Sequence, residues 1–305
     1  MSTIARLEPA LAVPAPHDAS YVDRLAASPD WPLSHGTLAT RVRRAASNPK
    51  LRYGLLGFAA FFIVWYVASA LLTLPRFKFV PDPWFLFNEW ISRDPKYGIS
   101  LFTPLYYEHI LVSTARVYAA FALAVVFGAP LGILLGWSRL ARNMIFPLVE
   151  ILRPIPPLAW VPLAVLTLYG TEMPVIFVTL LAAFFATVLN TFLGVVSIDE
   201  SYLRAAACLG YGRRQTLMRV IVPGALPFIF TGLQIAMGVA WFSLVGGELI
   251  AGRSGLGYMI FDAYVQVALP NIFIGMITLG VLGYISSAII RRVGRRLMVW
   301  QARST

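Results

Sequence analysis

The sequence predicts an all-α membrane protein that crosses the bilayer about six times. Of its 305 residues 58% are hydrophobic and only 13% are charged, and long apolar runs recur along the chain. Soluble domains average about 45–50% apolar and about 25% charged residues, whereas a helix of about 20 apolar residues spans a bilayer. The composition excludes a disordered chain and argues against a soluble enzyme.

Six apolar segments have the length of a membrane span. They cover residues 54–74, 111–137, 144–168, 174–196, 226–250 and 272–290. The third contains Pro154, Pro156, Pro157 and Pro162. A proline inside a helix removes a hydrogen bond and kinks or breaks the helix, so we expect the third span to be interrupted. The polar and aromatic residues 75–110 predict a long loop after the first span.

The predicted organisation has four parts. They are a basic leader at 1–53, the first span with its loop at 54–110, five further spans at 111–296 with a polar loop at 197–224, and a tail at 297–305. The leader contains no apolar segment of the kind that signal peptides carry. Within it, Thr37–Asn48 has two open interpretations, a short basic helix at the membrane surface or a disordered basic segment near anionic lipid.

Basic residues are distributed unequally over the two sides that six spans define. With the N-terminus in the cytoplasm, eighteen Lys and Arg residues lie inside and five lie outside. Such an excess is typical of cytoplasmic loops. This distribution therefore predicts an N-in, C-in protein of the bacterial inner membrane. The net charge of +11 fits contact with lipid, and we expect no nucleic-acid partner.

The sequence lacks the common catalytic motifs. No Gly-Lys pair occurs, so the chain has no P-loop for nucleotide phosphates, and no HExxH, CxxC or GxSxG pattern is present. His17, His35 and His109 do not have the spacing of metal ligands. We expect no catalytic residue, no metal and no cofactor in this chain.

The polar loop at 197–224 carries the most specific signal. Ala205, Ala206 and Ala207 favour a helix, Gly210 is a natural bend, and a second helical stretch, 213–222, precedes Pro223. Such a helix–Gly–helix hairpin can dock into a groove of a soluble partner. An ordinary basic cytoplasmic loop is the other interpretation.

The spacing within this loop resembles the EAA loop of binding-protein-dependent ABC importer permeases. Ala205-Ala206, Gly210 and Val220-x-Val222-Pro223 match that motif at its spacing. Arg204 stands where the motif has Glu, and this charge reversal leaves open whether the contact at that position is preserved.

Other segments are similar to the permeases of the nitrate, sulfonate, taurine and bicarbonate type. They are Leu152–Pro162 (LRPIPPLAWVP), Thr231–Ile235, Gly238–Trp241, Gly247–Gly252 and Gly255–Tyr258. The likeness covers roughly 110–290. It does not distinguish among these solutes.

This resemblance implies a type I importer permease that carries a small anionic solute and pairs with a second copy of itself. Two ATPase subunits would bind ATP and Mg²⁺, and a periplasmic or lipid-anchored binding protein would deliver the solute. The implied ATPase-coupling residues are Arg204, Ala205, Ala206, Gly210, Arg213, Arg214 and Pro223.

Polar residues inside the spans are the candidates for the translocation path, because charge within a bilayer is costly. Glu150 and Arg153 are three residues apart on one helical face, and they form either a structural ion pair or a site where Arg153 attracts an anion. Glu248 suits a gating or helix-end role, since a carboxylate is a poor partner for an anion. The remaining candidates are Gln234, Trp241 and Ser243, for each of which packing is the alternative.

Arg116 begins the second span, and we expect it to extend to the outer interface.

Two other classes of function stay open from the residues alone. An ion-gradient-driven secondary transporter would show inverted repeats and acidic sites in the membrane, and a channel would not need a glycine-hinged loop.

Overall fold

The computed structural model describes residues 49–71 and 80–298 of the chain. These divide into two compact units, one ending at Trp65 and one beginning at Tyr66. The predictions for Thr37–Asn48 and most of the leader, for 72–79 and for most of the tail lie outside the described residues.

The described part of the first unit is helix α1 (Pro49–Tyr66), whose last residue and the following π turn, Val67–Leu71, belong to the second unit. It begins with proline, which is favoured in a first helical turn because its missing amide would have no partner there. Its side chains from Tyr53 to Val64 are largely exposed and apolar. A helix of this length with such a surface is suited to lipid. It begins before the predicted start at Gly54.

The second unit is built only of helices within its described residues. After α1 these are α2 (Pro83–Ile91), α3 (Pro104–Trp137), α4 (Arg139–Leu152), α5 (Val161–Thr167), α6 (Glu172–Val196), α7 (Glu200–Cys208), α8 (Arg213–Thr216), α9 (Val222–Ala251), α10 (Leu256–Val265) and α11 (Leu269–Leu297). A 3₁₀ turn, Pro157–Trp160, precedes α5, and a π turn, Leu217–Ile221, joins α8 to α9.

Among the described residues five helices are long and apolar enough to cross a membrane. The bent pair Arg139–Leu152 and Pro157–Thr167, with an angle of 87° at its break, counts as a sixth when taken as one interrupted span. The prediction of about six spans with an interrupted third is therefore confirmed. Pro154 and Pro156 lie at the break, where the missing amides end the helix.

The long outer loop predicted at 75–110 is wrong in part. Helix α2 lies within it, because the Asp82 carboxylate accepts a hydrogen bond from the Phe85 amide at 2.8 Å and Pro83 occupies the first turn. Helix α3 also begins earlier than expected, at Pro104. With 34 residues, α3 is about 51 Å long and extends beyond the hydrocarbon layer.

Close packing of α3 on α6 depends on three glycines four residues apart. A Cβ at Gly128, Gly132 or Gly136 would contact the α6 side chains of Thr187, Thr191 and Val195, respectively. Because both series rise together, the two helices are parallel. Small residues at this spacing let helix backbones approach closely in a membrane.

Helix α9 runs antiparallel to α6. Gly232 of α9 lies against Asn190, and Gly247 lies against Val175. Helices α3, α6, α9 and α11 together enclose a core that includes Ala124, Ala183, Leu233, Met237 and Ile290. The C-terminal ends of α3, α6 and α11 and the start of α9 therefore belong to the side that the arginine excess assigns to the cytoplasm.

Replacing Gly132 by alanine is expected to destabilise the chain by about 1–3 kcal/mol. The added Cβ would lie 2.6 Å from both the Thr191 Cβ and the Val188 carbonyl oxygen, and backbone cannot move aside cheaply. Gly238→Ala is the matched control, because nothing lies within 4 Å of a Cβ at that position. Thermal stability in detergent, followed by size-exclusion chromatography, measures both. Equal stability of the two variants would refute this account of the α3–α6 contact.

Candidate functional site

The cytoplasmic loop forms the predicted helix–Gly–helix hairpin. Helix α7 starts after Asp199, whose carboxylate accepts a hydrogen bond from the Ser201 amide at 2.7 Å. Hydrogen bonds from Ser201 hold the pKa of the Asp199 carboxyl below its usual value, so this cap is ionised at neutral pH. After α7 the chain turns at Gly210, which has a φ of +76°. Side chains other than glycine rarely adopt this conformation.

The second half of the hairpin differs from the prediction. Arg213–Ala251 forms one continuous helical span instead of a stretch that ends before Pro223. A π turn at Leu217–Ile221 lies immediately before this proline and joins the two helical parts. The Val222 amide donates to the Leu217 carbonyl.

The hairpin presents most of its predicted coupling residues to solvent. Exposed members are Arg204, Ala205, Gly210, Arg213 and Arg214, whereas Ala206 is buried and Pro223 is half-buried. Arg204 lies 3.8 Å from Glu200 on the same helix, and the Arg213 guanidinium stacks over the Trp137 ring at 5.6 Å. The structure thus ties the second half of the hairpin to the end of α3.

A groove of about 580 Å³ lies between the start of α7 and the start of α9. Its lining combines an acid, a base and apolar side chains, namely Asp199, Arg219, Tyr202, Ile198 and Phe228. A rigid hairpin with an adjacent groove of mixed polarity is a surface on which another protein can dock.

The interrupted span places a charged pair in the middle of the membrane. Val149 of α4 belongs to one buried cluster with Val188, and Val161 of α5 belongs to another with Val178. Along α6, Val188 lies about 12 Å from the cytoplasmic end of the helix, and Val178 lies about 9 Å from its outer end. The break with Arg153 therefore lies between them, near mid-depth.

Glu150 and Arg153 form an ion pair at this depth. Arg153 Nη1 lies 3.6 Å from Glu150 Oε1, and the side chains of Arg153 and Glu150 are 47% and 46% exposed, respectively. Charged side chains at membrane depth face protein or water rather than lipid, and irregular backbone is tolerated only in the same settings. The face of the break that carries the pair is therefore suited to a cavity.

The outer end of the unit contains a second charged cluster around Arg116. This side chain is 3% exposed and does not extend to the interface as we expected. It donates from Nη1 to Glu248 Oε1 at 2.8 Å and to the Ser254 carbonyl at 2.7 Å, and it also pairs with Glu172. The expectation was wrong because Glu172, Glu248 and Ser254 lie far from Arg116 in the chain, and no local sequence pattern indicates that they meet it.

Glu248 is fully buried and satisfied on several sides. Besides Arg116, it accepts hydrogen bonds from Ser113 Oγ at 2.8 Å and from the Gly257 amide at 2.8 Å. A Cβ at Gly255 or Gly257 would clash with this glutamate. Gly255 and Gly257 are thus required by the close approach of the turn to Glu248.

Three residues of α3 hold the turn between α9 and α10. His109 Nδ1 accepts a hydrogen bond from the Gly255 amide at 3.1 Å, and Ser113 Oγ accepts one from the Leu256 amide at 2.7 Å. His109, Ser113 and Arg116 follow one another at intervals of four and three residues, so they lie on one face of α3. The sequence analysis missed this group, although polar residues at this spacing in a membrane helix were a signal that it could have used.

The other candidate path residues are bonded within the chain. Trp241 Nε1 donates to Ser286 Oγ at 3.2 Å, Ser243 Oγ donates to the Val178 carbonyl at 3.1 Å, and Gln234 donates to its own helix. Trp241, Ser243 and Glu248 are buried, so in this conformation they pack the interior. Their role in a path stays a prediction. Within the described residues, no group of His, Cys, Asp and Glu side chains is arranged to hold a metal ion.

Comparison with known proteins agrees with this architecture. Residues 128–299 match the family model of the binding-protein-dependent transport system inner membrane component. A probable ABC transporter permease protein of Brucella abortus (strain 2308) is 44% identical over 195 residues, which cover 64% of this chain and 78% of the relative. The taurine transport system permease protein of Escherichia coli (strain K12) is 36% identical over 236 residues, or 77% of this chain and 84% of the relative.

A solved structure shares the fold. The inward-facing MetNI methionine ABC transporter contains a chain that superposes with a TM-score of 0.55 at 19% identity, covering 63% of this chain and 96% of that one. The family match, the relatives and the helical architecture agree with one another. This chain therefore belongs to the family of inner membrane components of binding-protein-dependent transport systems, and it is a multi-pass inner membrane protein with the fold of a type I ABC importer permease.

Proposed function

We propose that this chain is the translocating subunit of an ATP-driven importer for a small solute that carries an anionic group. It works as a pair with a second copy, two ATPase subunits bind ATP and Mg²⁺ on the cytoplasmic side, and a separate binding protein delivers the solute. The observation that carries this proposal is the exposed hairpin of α7, Gly210 and α8, which continues directly into a membrane-crossing helix.

The hairpin is suited to transmit force. Helix α8 continues through the π turn into α9, so a push on the hairpin would be transmitted into the membrane along one continuous helical rod. Gly210 sets the angle between α7 and this rod, and the Arg213–Trp137 contact links the hairpin to α3. Closure of two ATPases on two such hairpins would bias a two-state switch between outward and inward openings.

The mid-membrane pair supports the proposed path. Glu150 and Arg153 lie half-exposed at the break of the third span, and the lowest-cost environment for them is a cavity lined with protein and water. A second copy facing this break would enclose such a cavity. We infer that the solute passes at this level, in agreement with the resemblance to permeases for nitrate, sulfonates, taurine and bicarbonate.

The test is purification of the tagged chain in mild detergent from its native host, with identification of co-purifying proteins and measurement of ATP hydrolysis. We expect an ATP-binding subunit in equal number to the tagged chain, and hydrolysis that increases when a solute-loaded binding protein is added.

A chain that purifies alone, under conditions that keep a known ABC importer intact, would contradict the proposal and favour a channel or an ion-driven transporter. The same preparation in vesicles distinguishes those two, since uptake by an ion-driven transporter requires an ion gradient.

A further inference from the structure

The Glu150–Arg153 pair is isolated within the membrane. No other charged residue of the described spans lies between the cytoplasmic arginines and the outer cluster of Arg116, Glu172 and Glu248. Each copy of the chain therefore contributes one cation and one anion at the break of the third span. On the proposed path, a solute that passes this level meets both charges.

The exposed surface of α4 is divided lengthwise. One side presents the apolar side chains Leu140, Met144, Leu148 and Ile151, each more than half exposed. The adjoining edge presents Arg139, Asn143, Glu150 and Arg153, all exposed. The apolar side is suited to lipid or to a second copy, whereas the polar edge forms a row from the cytoplasmic end to the break and is suited to water.

A simple anion is poorly matched to this pair. Arg153 attracts it, but the Glu150 carboxylate lies only 3.6 Å from the guanidinium and repels it over nearly the same distance. An anion bound to the remaining guanidinium N–H groups would therefore share Arg153 with a carboxylate that already offsets its charge. An anion-selective site would be better served by Arg153 with a neutral neighbour.

A small zwitterion is well matched. Its anionic group takes two guanidinium N–H groups of Arg153, and its ammonium group pairs with the Glu150 carboxylate beside it. Both protein charges keep a partner throughout, so neither is left uncompensated in a low-dielectric cavity. The half-exposed side chains have room to separate and admit the two ends of such a solute.

We propose that Glu150 and Arg153 together form a binding site for a small zwitterion whose anionic and ammonium groups are joined by a short spacer, such as an aminoalkanesulfonate. Arg153 holds the anionic group and Glu150 determines specificity by selecting the ammonium group. This inference rests on the proposed function and narrows its substrate class.

The experiment measures binding of radiolabelled taurine to the detergent-purified complex of this chain with its ATPase, and the binding protein is omitted so that its own selectivity does not enter. The competitors are β-alanine, which keeps both charges, isethionate, which replaces the ammonium group by hydroxyl, and nitrate. We expect β-alanine to displace taurine at least ten times more effectively than isethionate or nitrate does.

Two variants assign the roles. Glu150→Gln should weaken taurine binding at least tenfold and leave isethionate binding unchanged or tighter, whereas Arg153→Gln should weaken both. A purely structural ion pair would not change the preference between taurine and isethionate. Glu108→Gln makes the same chemical change at an exposed position on α3 and should bind taurine as the native chain does.

Three results would overturn the inference: displacement by isethionate or nitrate as effective as by β-alanine, an equal effect of Glu150→Gln on taurine and isethionate, or absence of taurine binding in a complex that hydrolyses ATP. Failure of the proposed function is distinguishable from these, because no ATPase subunit would then co-purify with the chain.

Discussion

Replacing Arg116 by leucine is expected to lower the free energy of unfolding by roughly 3–5 kcal/mol, because removal of one member of a buried ion pair leaves the other uncompensated. Glu248 has no exposed surface and would keep only its hydrogen bonds from Ser113 and Gly257. The turn between α9 and α10 would also lose the contact of Arg116 with the Ser254 carbonyl. Thermal unfolding in detergent, monitored by size-exclusion chromatography, measures this loss of stability.

Glu172→Gln is the matched comparison, since it removes the other carboxylate partner of Arg116. The Glu172 side chain is 53% exposed, and an ion pair with such access to water contributes at most about 1 kcal/mol. We therefore expect a small effect. Arg116→Lys should fall between the two, because an ammonium group cannot serve both carboxylates with a planar fork. If Arg116→Leu is as stable as Glu172→Gln, the cluster does not hold the fold together.

Gly210→Val is expected to reduce solute-stimulated ATP hydrolysis by more than tenfold while the membrane helices remain folded. The residue has a φ of +76°, and this left-handed conformation costs a side chain with a Cβ about 1–2 kcal/mol, more for a β-branched one. The cost is avoided if the hairpin changes its angle. The proposed contact of the hairpin with an ATPase subunit would then be lost, and co-purification of that subunit measures this directly.

Gly212→Val tests whether conformation or bulk is responsible. Gly212 lies two residues away in the same exposed turn, but its φ is −67° and its ψ is 164°, which valine adopts readily. The nearest atom to an added Cβ is Gln215 Oε1 at 4.0 Å. Activity close to that of the native chain is expected. Equal loss of activity in both variants would show that the turn tolerates no side chain and that its backbone angle is not the cause.

The two groups of charged side chains in the membrane part differ in burial and in the number of their partners. In the outer cluster Arg116 and Glu248 are buried and hydrogen-bonded on several sides, so they fix how α3 and α9 meet. The pair at Glu150 and Arg153 is half-exposed and has no other ion-pair partner among the described residues. Our proposal gives this pair, and not the buried cluster, the contact with the solute.

The sequence by itself determined the span count, the interruption of the third span and the helical hairpin that bends at Gly210. These features depend on local physics: the apolar length needed to cross a bilayer, the amide that proline lacks, and the backbone freedom of glycine. The family resemblance also followed from residues near one another in the chain. The error at Pro223 arose because helices of this chain continue past a proline, as they also do at Pro130 and Pro227.

Only the tertiary structure decided where the charged side chains lie. Arg116 meets Glu172 and Glu248, which are 56 and 132 residues away in the chain, and no local pattern records such separations. The same holds for Ser243 and Trp241, which became interior packing residues once α9 lay against α6 and α11. In a membrane a polar side chain must find its partner on another helix or in a cavity, and which of the two it finds is settled by helix packing rather than by sequence spacing.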